Sequence, residues 1–319
     1  MLLGVLFVLL GIAGLFFGGE WLVRGASRLA NALGVPPLVI GVAVVSIGTS
    51  FPELLVSISA ALAGTNGIVL GNVIGSNIAN IGLILGTAAL IYPVAVHWRL
   101  IRIEVPLMVG LSVVSLLMAL DGEINRLEGG LLLVGLVVVI VSLIRFSERD
   151  HEAMDAEILE FEEKEHLLDR EHPVRALLLL LAGIVVLGGG AQLMVRGAVA
   201  VAQGLGVSDV VIGLSVVALG TSLPELVTCV LAARRGESDI AIGNVVGSNI
   251  MNLLFILGAT AAIHPIPLDP AVVLIDLAVM IAFAGILWLS FCFDEVVGRI
   301  EAVAFLAGYV GFIAYSFLK

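Results

Sequence analysis

The chain has 319 residues, of which 60% are hydrophobic and only 13% charged, with a mean hydropathy of +1.18. Soluble domains carry roughly 25% charged residues, so this composition excludes a water-soluble enzyme or nucleic-acid-binding domain and specifies an integral membrane protein. The formal net charge of -11 is largely local, because eleven Asp and Glu lie between Phe146 and His172 against Arg149, Lys164 and Arg170.

Apolar periodicity punctuated by Gly, Pro and charge predicts ten spans, at residues 2–30, 37–63, 68–91, 100–120, 127–145, 174–203, 208–233, 239–262, 270–292 and 299–318. Runs of about 20 apolar residues cross a hydrocarbon core as helices. No strand-like alternation competes with them, so the expected class is an all-α polytopic membrane protein. The first run, Leu2 to Phe17, has no basic region before it and no small-residue cleavage site after it, which predicts a retained helix and not a removed signal peptide. Cys229 and Cys292 both fall in predicted spans, which argues against a disulfide framework and against a Cys-based metal site.

The second span carries Gly48-Thr49-Ser50-Phe51-Pro52-Glu53, and the seventh carries Gly220-Thr221-Ser222-Leu223-Pro224-Glu225, 172 residues later. At the same offset, residues 71–80 of the third span (GNVIGSNIAN) return as residues 243–252 of the eighth (GNVVGSNIMN), with eight of ten positions identical. Arg24-Gly25 likewise matches Arg196-Gly197, and Gly34 matches Gly206. Residues 1–145 and 173–319 therefore read as two five-span repeats joined by an acidic linker, 146–172. An odd number of crossings per unit sends the second copy into the membrane from the opposite side, giving an inverted pair.

Loops after odd-numbered spans hold twelve Lys and Arg, and the other side holds only Arg126, Arg196 and Lys319. The positive-inside rule then puts the linker in the cytoplasm and both termini outside a cell membrane. The linker reads as a helical, solvated connector with an i, i+4 pair, Glu160 and Lys164. Its acidic spacing does not match an EF-hand loop, so no metal is assigned to it.

In the second span Pro52 lacks an amide hydrogen, and its ring clashes with the carbonyl of Gly48, so the helix must kink or unwind near Gly48 to Ser50. Pro224 does the same to Gly220. Broken backbone at membrane depth is tolerated only where it is buried in protein or lines a water-filled cavity. Freed carbonyls, the hydroxyls of Thr49, Ser50, Thr221 and Ser222, and the carboxylates of Glu53 and Glu225 are all hard oxygen ligands. They suit Na+ or Ca2+ and not zinc or copper. The third and eighth spans add Ser76, Asn77, Asn80, Ser248, Asn249 and Asn252, while Gly71, Gly75, Gly243 and Gly247 allow close helix approach. Two carboxylates converging near the midplane match the charge of one Ca2+ or two Na+.

These paired motifs resemble the sodium/calcium exchangers of the calcium:cation antiporter superfamily, prokaryotic type, over both halves of the chain. The resemblance implies a secondary antiporter with no cofactor, exporting Ca2+ in exchange for Na+. It implies a cation cluster with Glu53 and Glu225 at its centre. Thr49, Ser50, Ser76 and the Ser46 carbonyl would lie on the cytoplasmic side, and Thr221, Ser222, Ser248 and the Ala218 carbonyl on the outer side. Asn80 and Asn252 match the two remaining midplane positions. Several relatives carry Asp at the second of these, and Asn252 leaves only two carboxylates. A carboxylate protonated in the cation-free state, which desolvation favours, would make H+ the counter-ion instead.

Asn72, Asn77, Asn244 and Asn249 are expected to hold the broken backbone. Glu20 reads as an interfacial acid, and the five His as surface residues. Gly188-Gly189-Gly190 lies inside a span and no P-loop is present, so ATP is not the expected energy source. A cation channel is the rival from another class, but channels usually build a pore from symmetry-related subunits.

Overall fold

The computed structural model describes residues 2–96, 98, 100–158, 173–205 and 218–318. In lipid every backbone polar group must find an internal partner, so the apolar runs form helices. In chain order these are α1 (Leu2–Leu33), α2 in two pieces (Pro37–Thr49 and Phe51–Leu62), α3 (Asn66–Ile91), α4 (Leu100–Asp121), α5 (Arg126–Ile158), α6 (Pro173–Gly204), α7 in two pieces (Ala218–Thr221 and Leu223–Arg234), α8 (Ser238–Ile263), α9 (Pro270–Phe293) and α10 (Arg299–Leu318). Among the described residues eight helices are long and apolar enough to cross a membrane, and the bent α2 makes nine. The expected tenth span, 208–233, is described only from Ala218. Residues 146–158 of the linker continue α5 as helix, and the Glu160 and Lys164 pair lies outside the described residues.

The breaks occur where proline dictates. The two pieces of α2 meet at 45°, with Ser50 (φ -81°, ψ 5°) off the helix two residues before Pro52. Ser222 (φ -90°, ψ 4°) does the same before Pro224 in α7. Two tight turns that follow are also equivalent: Gly64 (φ +73°) and Gly236 (φ +77°) adopt a left-handed conformation open to glycine without a Cβ penalty.

Two short antiparallel strand pairs tie the loops together. Val94–Ala95 (β1, after α3) pairs with Val296–Val297 (β4, after α9), and Glu123–Ile124 (β2, after α4) pairs with Ile266–Pro267 (β3, after α8). Each pairing joins loops that an alternating chain leaves on one side of the membrane, odd with odd and even with even.

The core sits around α2, α3, α7 and α8. In α8, 94% of the most apolar stretch is buried, against 17% in α5 and 11% in α10. On the outer helices large apolar side chains such as Leu9, Val134, Val185 and Val310 face outward, where lipid is the solvent. Gly243 and Gly247 let α8 approach α2: a Cβ at Gly247 would lie 2.7 Å from the Val42 Cα. A Cβ added at Gly71 or Gly75 would meet no neighbouring helix within 4 Å.

A separate seam joins α1 to α6. Gly4, Gly11, Gly18 and Gly25 recur every seventh residue on α1, facing Gly183, Gly190 and Gly197 on α6. A Cβ at Gly18 would lie 2.3 Å from the Leu187 amide nitrogen, and one at Gly183 2.4 Å from that of Leu22. Only glycine permits this backbone-to-backbone contact. The seven-residue period keeps the contact on one face of each helix as it runs the length of the pair.

Candidate functional site

Each broken helix places a carboxylate at the start of its second half. Glu53 and Glu225 lie in the first turn of the Phe51–Leu62 and Leu223–Arg234 pieces, and both are buried, at 2% and 1% exposure. The positive end of the half-helix dipole favours the charged carboxylate there. The preceding pieces end at Thr49 and Thr221, so their carbonyl-bearing, negative ends point at the same breaks.

Side-chain hydrogen bonds close the four core helices into a ring. The Ser50 hydroxyl donates to Glu225 Oε1 at 3.3 Å, linking α2 to α7. The Asn72 amide donates to the Glu53 carbonyl at 2.9 Å, and the Asn244 amide to the Glu225 carbonyl at 3.4 Å. Thr49 Oγ1 donates to Asn244 Oδ1 at 3.1 Å, linking α2 to α8. Finally α3 and α8 are joined twice, by Asn80 Nδ2 to Asn249 Oδ1 at 2.9 Å and by Asn252 Nδ2 to Asn77 Oδ1 at 3.3 Å. Both motifs of both repeats thus meet in one place.

Asn72 and Asn244 hold backbone carbonyls, as the sequence suggests. Asn77 and Asn249 differ from expectation: each accepts from the midplane Asn of the opposite repeat and donates to a methionine sulfur. The reason is local geometry. π-Helical turns begin at Asn80 and Asn252, widening α3 and α8 where the Asn80 and Asn252 side chains bond Asn249 and Asn77 across the interface. Such turns concentrate at functional sites.

The unsatisfied oxygens carry the chemical argument. Glu53 Oε2, Glu225 Oε2, Asn80 Oδ1, Asn252 Oδ1 and Ser248 Oγ are buried without a hydrogen-bond partner. Each such group costs about 1–3 kcal/mol, more when charged. Four of the nine such atoms among the described residues belong to the expected midplane positions, one oxygen each. Buried acceptors with a lone pair unmet, on helices that the hydrogen-bonded ring draws together, suit a cation.

The remaining expected ligands lie on the same four helices. Ser46, Thr49, Ser50 and Ser222 are buried, and Thr221 is partly so. The Ser46 carbonyl accepts the Ser50 amide at 3.0 Å and the Thr49 hydroxyl at 3.3 Å, while its own hydroxyl bonds the Val42 carbonyl. Ser76 and Ser248 precede Asn80 and Asn252 by four residues, on the same helix faces. Ala218 opens the described part of α7. Outside the ring, Glu104 is a buried carboxylate that sequence inspection passes over, since an acid near a predicted span end reads as interfacial. It borders an apolar cavity of about 250 Å³ between α2, α4 and α5.

Known proteins resemble the chain over nearly its whole length. The family model described as "Sodium/calcium exchanger protein" matches residues 3–145 and 175–318. The chain is 36% identical over 318 residues to a putative antiporter, CaxA, of Alkalimonas amylolytica, covering 98% of each. It is 34% identical over 345 aligned positions to the sodium/calcium exchanger MaX1 of Methanosarcina acetivorans, again covering 98% of each. The solved structure of the sodium-calcium exchanger NCX_Mj soaked with Na+ and Ca2+ superimposes with a TM-score of 0.85 at 33% identity, covering 98% of each chain. With both halves matched and the fold shared along nearly its whole length, this chain belongs to the sodium/calcium exchanger family.

Proposed function

We propose that the chain is a secondary antiporter that exports Ca2+ in exchange for Na+, both ions competing for the oxygens of Glu53 and Glu225. The observation that carries this reading is the set of unpartnered buried oxygens on Glu53, Glu225, Asn80 and Asn252. The broader reading, a transporter that exchanges Ca2+ for another cation and is not an enzyme, rests on family membership. Two carboxylates give a charge matched by one Ca2+ or two Na+. The Thr49, Ser50 and Ser76 oxygens with the Ser46 carbonyl serve as one flank of the cluster, and Thr221, Ser222, Ser248 and the Ala218 carbonyl as the other.

Exchange follows from electrostatics. An empty site carrying two negative charges resists passage through a low-dielectric barrier, whereas a loaded, neutralised site does not. Only loaded forms then alternate between inward and outward access. The α1 and α6 pair, which contributes no ligand, is the element that moves across the core. We place the termini outside and the linker in the cytoplasm on the distribution of Lys and Arg.

The test is radioactive Ca2+ uptake into proteoliposomes loaded with Na+, diluted into Na+-free buffer at equal pH on both sides. Uptake that disappears when internal Na+ is replaced by choline is the expected result. Asn252 supports a second reading, H+ as counter-ion, because the centre then holds two carboxylates and two neutral amides. Uptake indifferent to Na+ but driven by an imposed pH gradient would select it. Asn252→Asp adds a titratable acid at the centre, and is expected to shift the reversal potential or introduce proton sensitivity.

A further inference from the structure

Met108 and Met280 lie 172 residues apart, the same offset that relates the two motifs, on α4 and α9. These helices contribute nothing to either motif. Both methionines are buried at 1% exposure. The Asn249 amide nitrogen donates to the Met108 sulfur at 3.4 Å, and the Asn77 amide nitrogen to the Met280 sulfur at 3.4 Å. Beyond each lies one further step: Asn249 Oδ1 accepts from Asn80 Nδ2, and Asn77 Oδ1 accepts from Asn252 Nδ2. That leaves Asn80 Oδ1 and Asn252 Oδ1 as the buried, unpartnered ends of two relays.

A carboxamide is almost symmetric in shape, so packing alone does not distinguish its oxygen from its nitrogen. If Asn249 flipped, two NH2 groups would oppose each other, and the strain would be relieved only by flipping Asn80 as well. The flipped Asn80 would then present hydrogens where a cation needs a lone pair. A thioether breaks this degeneracy, because it accepts weakly and has no hydrogen to donate. Only the amide nitrogen of Asn249 or Asn77 can face it. Each relay also crosses between repeats twice, from α4 to α8 to α3 and from α9 to α3 to α8.

We infer that Met108 and Met280 are positioning residues that set the orientation of Asn249 and Asn77, and through them aim the Asn80 and Asn252 oxygens at the bound cation. The inference rests on the proposed cation site. Fixing the partners of first-contact ligands is a general way to tune metal affinity, and here a neutral, soft acceptor does it where a charge would compete with the site.

The experiment measures equilibrium binding of radioactive Ca2+ to the purified full-length protein, and KM and Vmax for Ca2+ uptake in proteoliposomes. Met108→Leu and Met280→Leu keep the volume and remove the acceptor. Each is expected to raise both Kd and KM about fivefold, the size of one net hydrogen bond, with Vmax unchanged. Met108→Leu should add nothing in an Asn249→Leu background. Wild-type Kd in both Leu variants, or a further loss when Met108→Leu is added to Asn249→Leu, would overturn the inference. Should Met108→Leu fail to elute as a monodisperse species, Met280→Leu reads the mirror relay. Asn80→Ala and Asn252→Ala separate the two levels: if they too bind Ca2+ like wild type, the cation site itself is misplaced, whereas weakened binding in them alone rejects only the relays.

Discussion

The ring of α2, α3, α7 and α8 and the pair of α1 with α6 pack inside the same membrane by opposite chemistry. In the ring, helices are broken at proline, widened at asparagine and cross-linked by hydrogen bonds between repeats. In the pair, two unbroken 32-residue helices touch through glycine, backbone against backbone. Directional bonds fix atoms in place and suit a site that must discriminate ions. A glycine seam brings two helices into backbone contact along their length and holds them together as a unit. One polar link complicates this picture: Glu20 of α1 pairs with Arg235 at the end of α7, and Ser27 donates to Glu237 at 2.7 Å. The equivalent positions in the other repeat, Gln192 with Ala63 and Val199 with Thr65, cannot form the same contacts.

If the ring binds and the pair moves, variants should separate affinity from rate. The largest effect belongs to the ring: Glu53→Gln and Glu225→Gln should each abolish exchange in proteoliposomes while the protein remains monodisperse. Full activity in either would end the shared-site reading. Next come Gly18→Ala and Gly183→Ala, whose new methyl groups meet backbone and force the helices apart, an overpacking cost of about 1–3 kcal/mol. We expect a lower melting temperature and a lower Vmax with Ca2+ Kd unchanged. A changed Kd would mean that the seam also shapes the site. Asn72→Ala and Asn244→Ala release the carbonyls of Glu53 and Glu225, and should weaken Ca2+ binding about fivefold each by equilibrium binding. Unequal losses would measure how far the two halves have diverged in function. The smallest effect is expected from Glu20→Gln, since partly exposed ion pairs contribute about 1 kcal/mol or less. A change in the ratio of inward to outward transport, with little change in stability, would identify this contact as a bias on access.

Much of the site is legible in the amino-acid sequence, because lipid makes polar residues conspicuous. A carboxylate next to proline, repeated at a fixed offset within apolar runs, has few structural explanations. Proline chemistry located the breaks at Ser50 and Ser222 to within two residues. The glycine seam was equally readable in principle, as glycine at every seventh position of α1 and α6, yet isolated glycines in an apolar run carry no chemical signature and the period is seen only when the two helices are compared. Glu104 was hidden by its place near a span end.

What the sequence by itself determined is local: which segments cross, where helices break, which oxygens are available, and that the unit occurs twice. Each follows from hydropathy, the missing amide of proline and the repetition of the chain. Tertiary structure alone decided the partners. It put Ser50 on Glu225 and not on its own repeat's Glu53, turned Asn77 and Asn249 from backbone holders into links between α3 and α8, and brought Met108 and Met280 against their amides. Hydrogen-bonding groups of asparagine and serine accept many partners. Which one each receives depends on the register between helices far apart in the chain, and that register is set by close packing at positions such as Gly243 and Gly247, not by any residue's own preference.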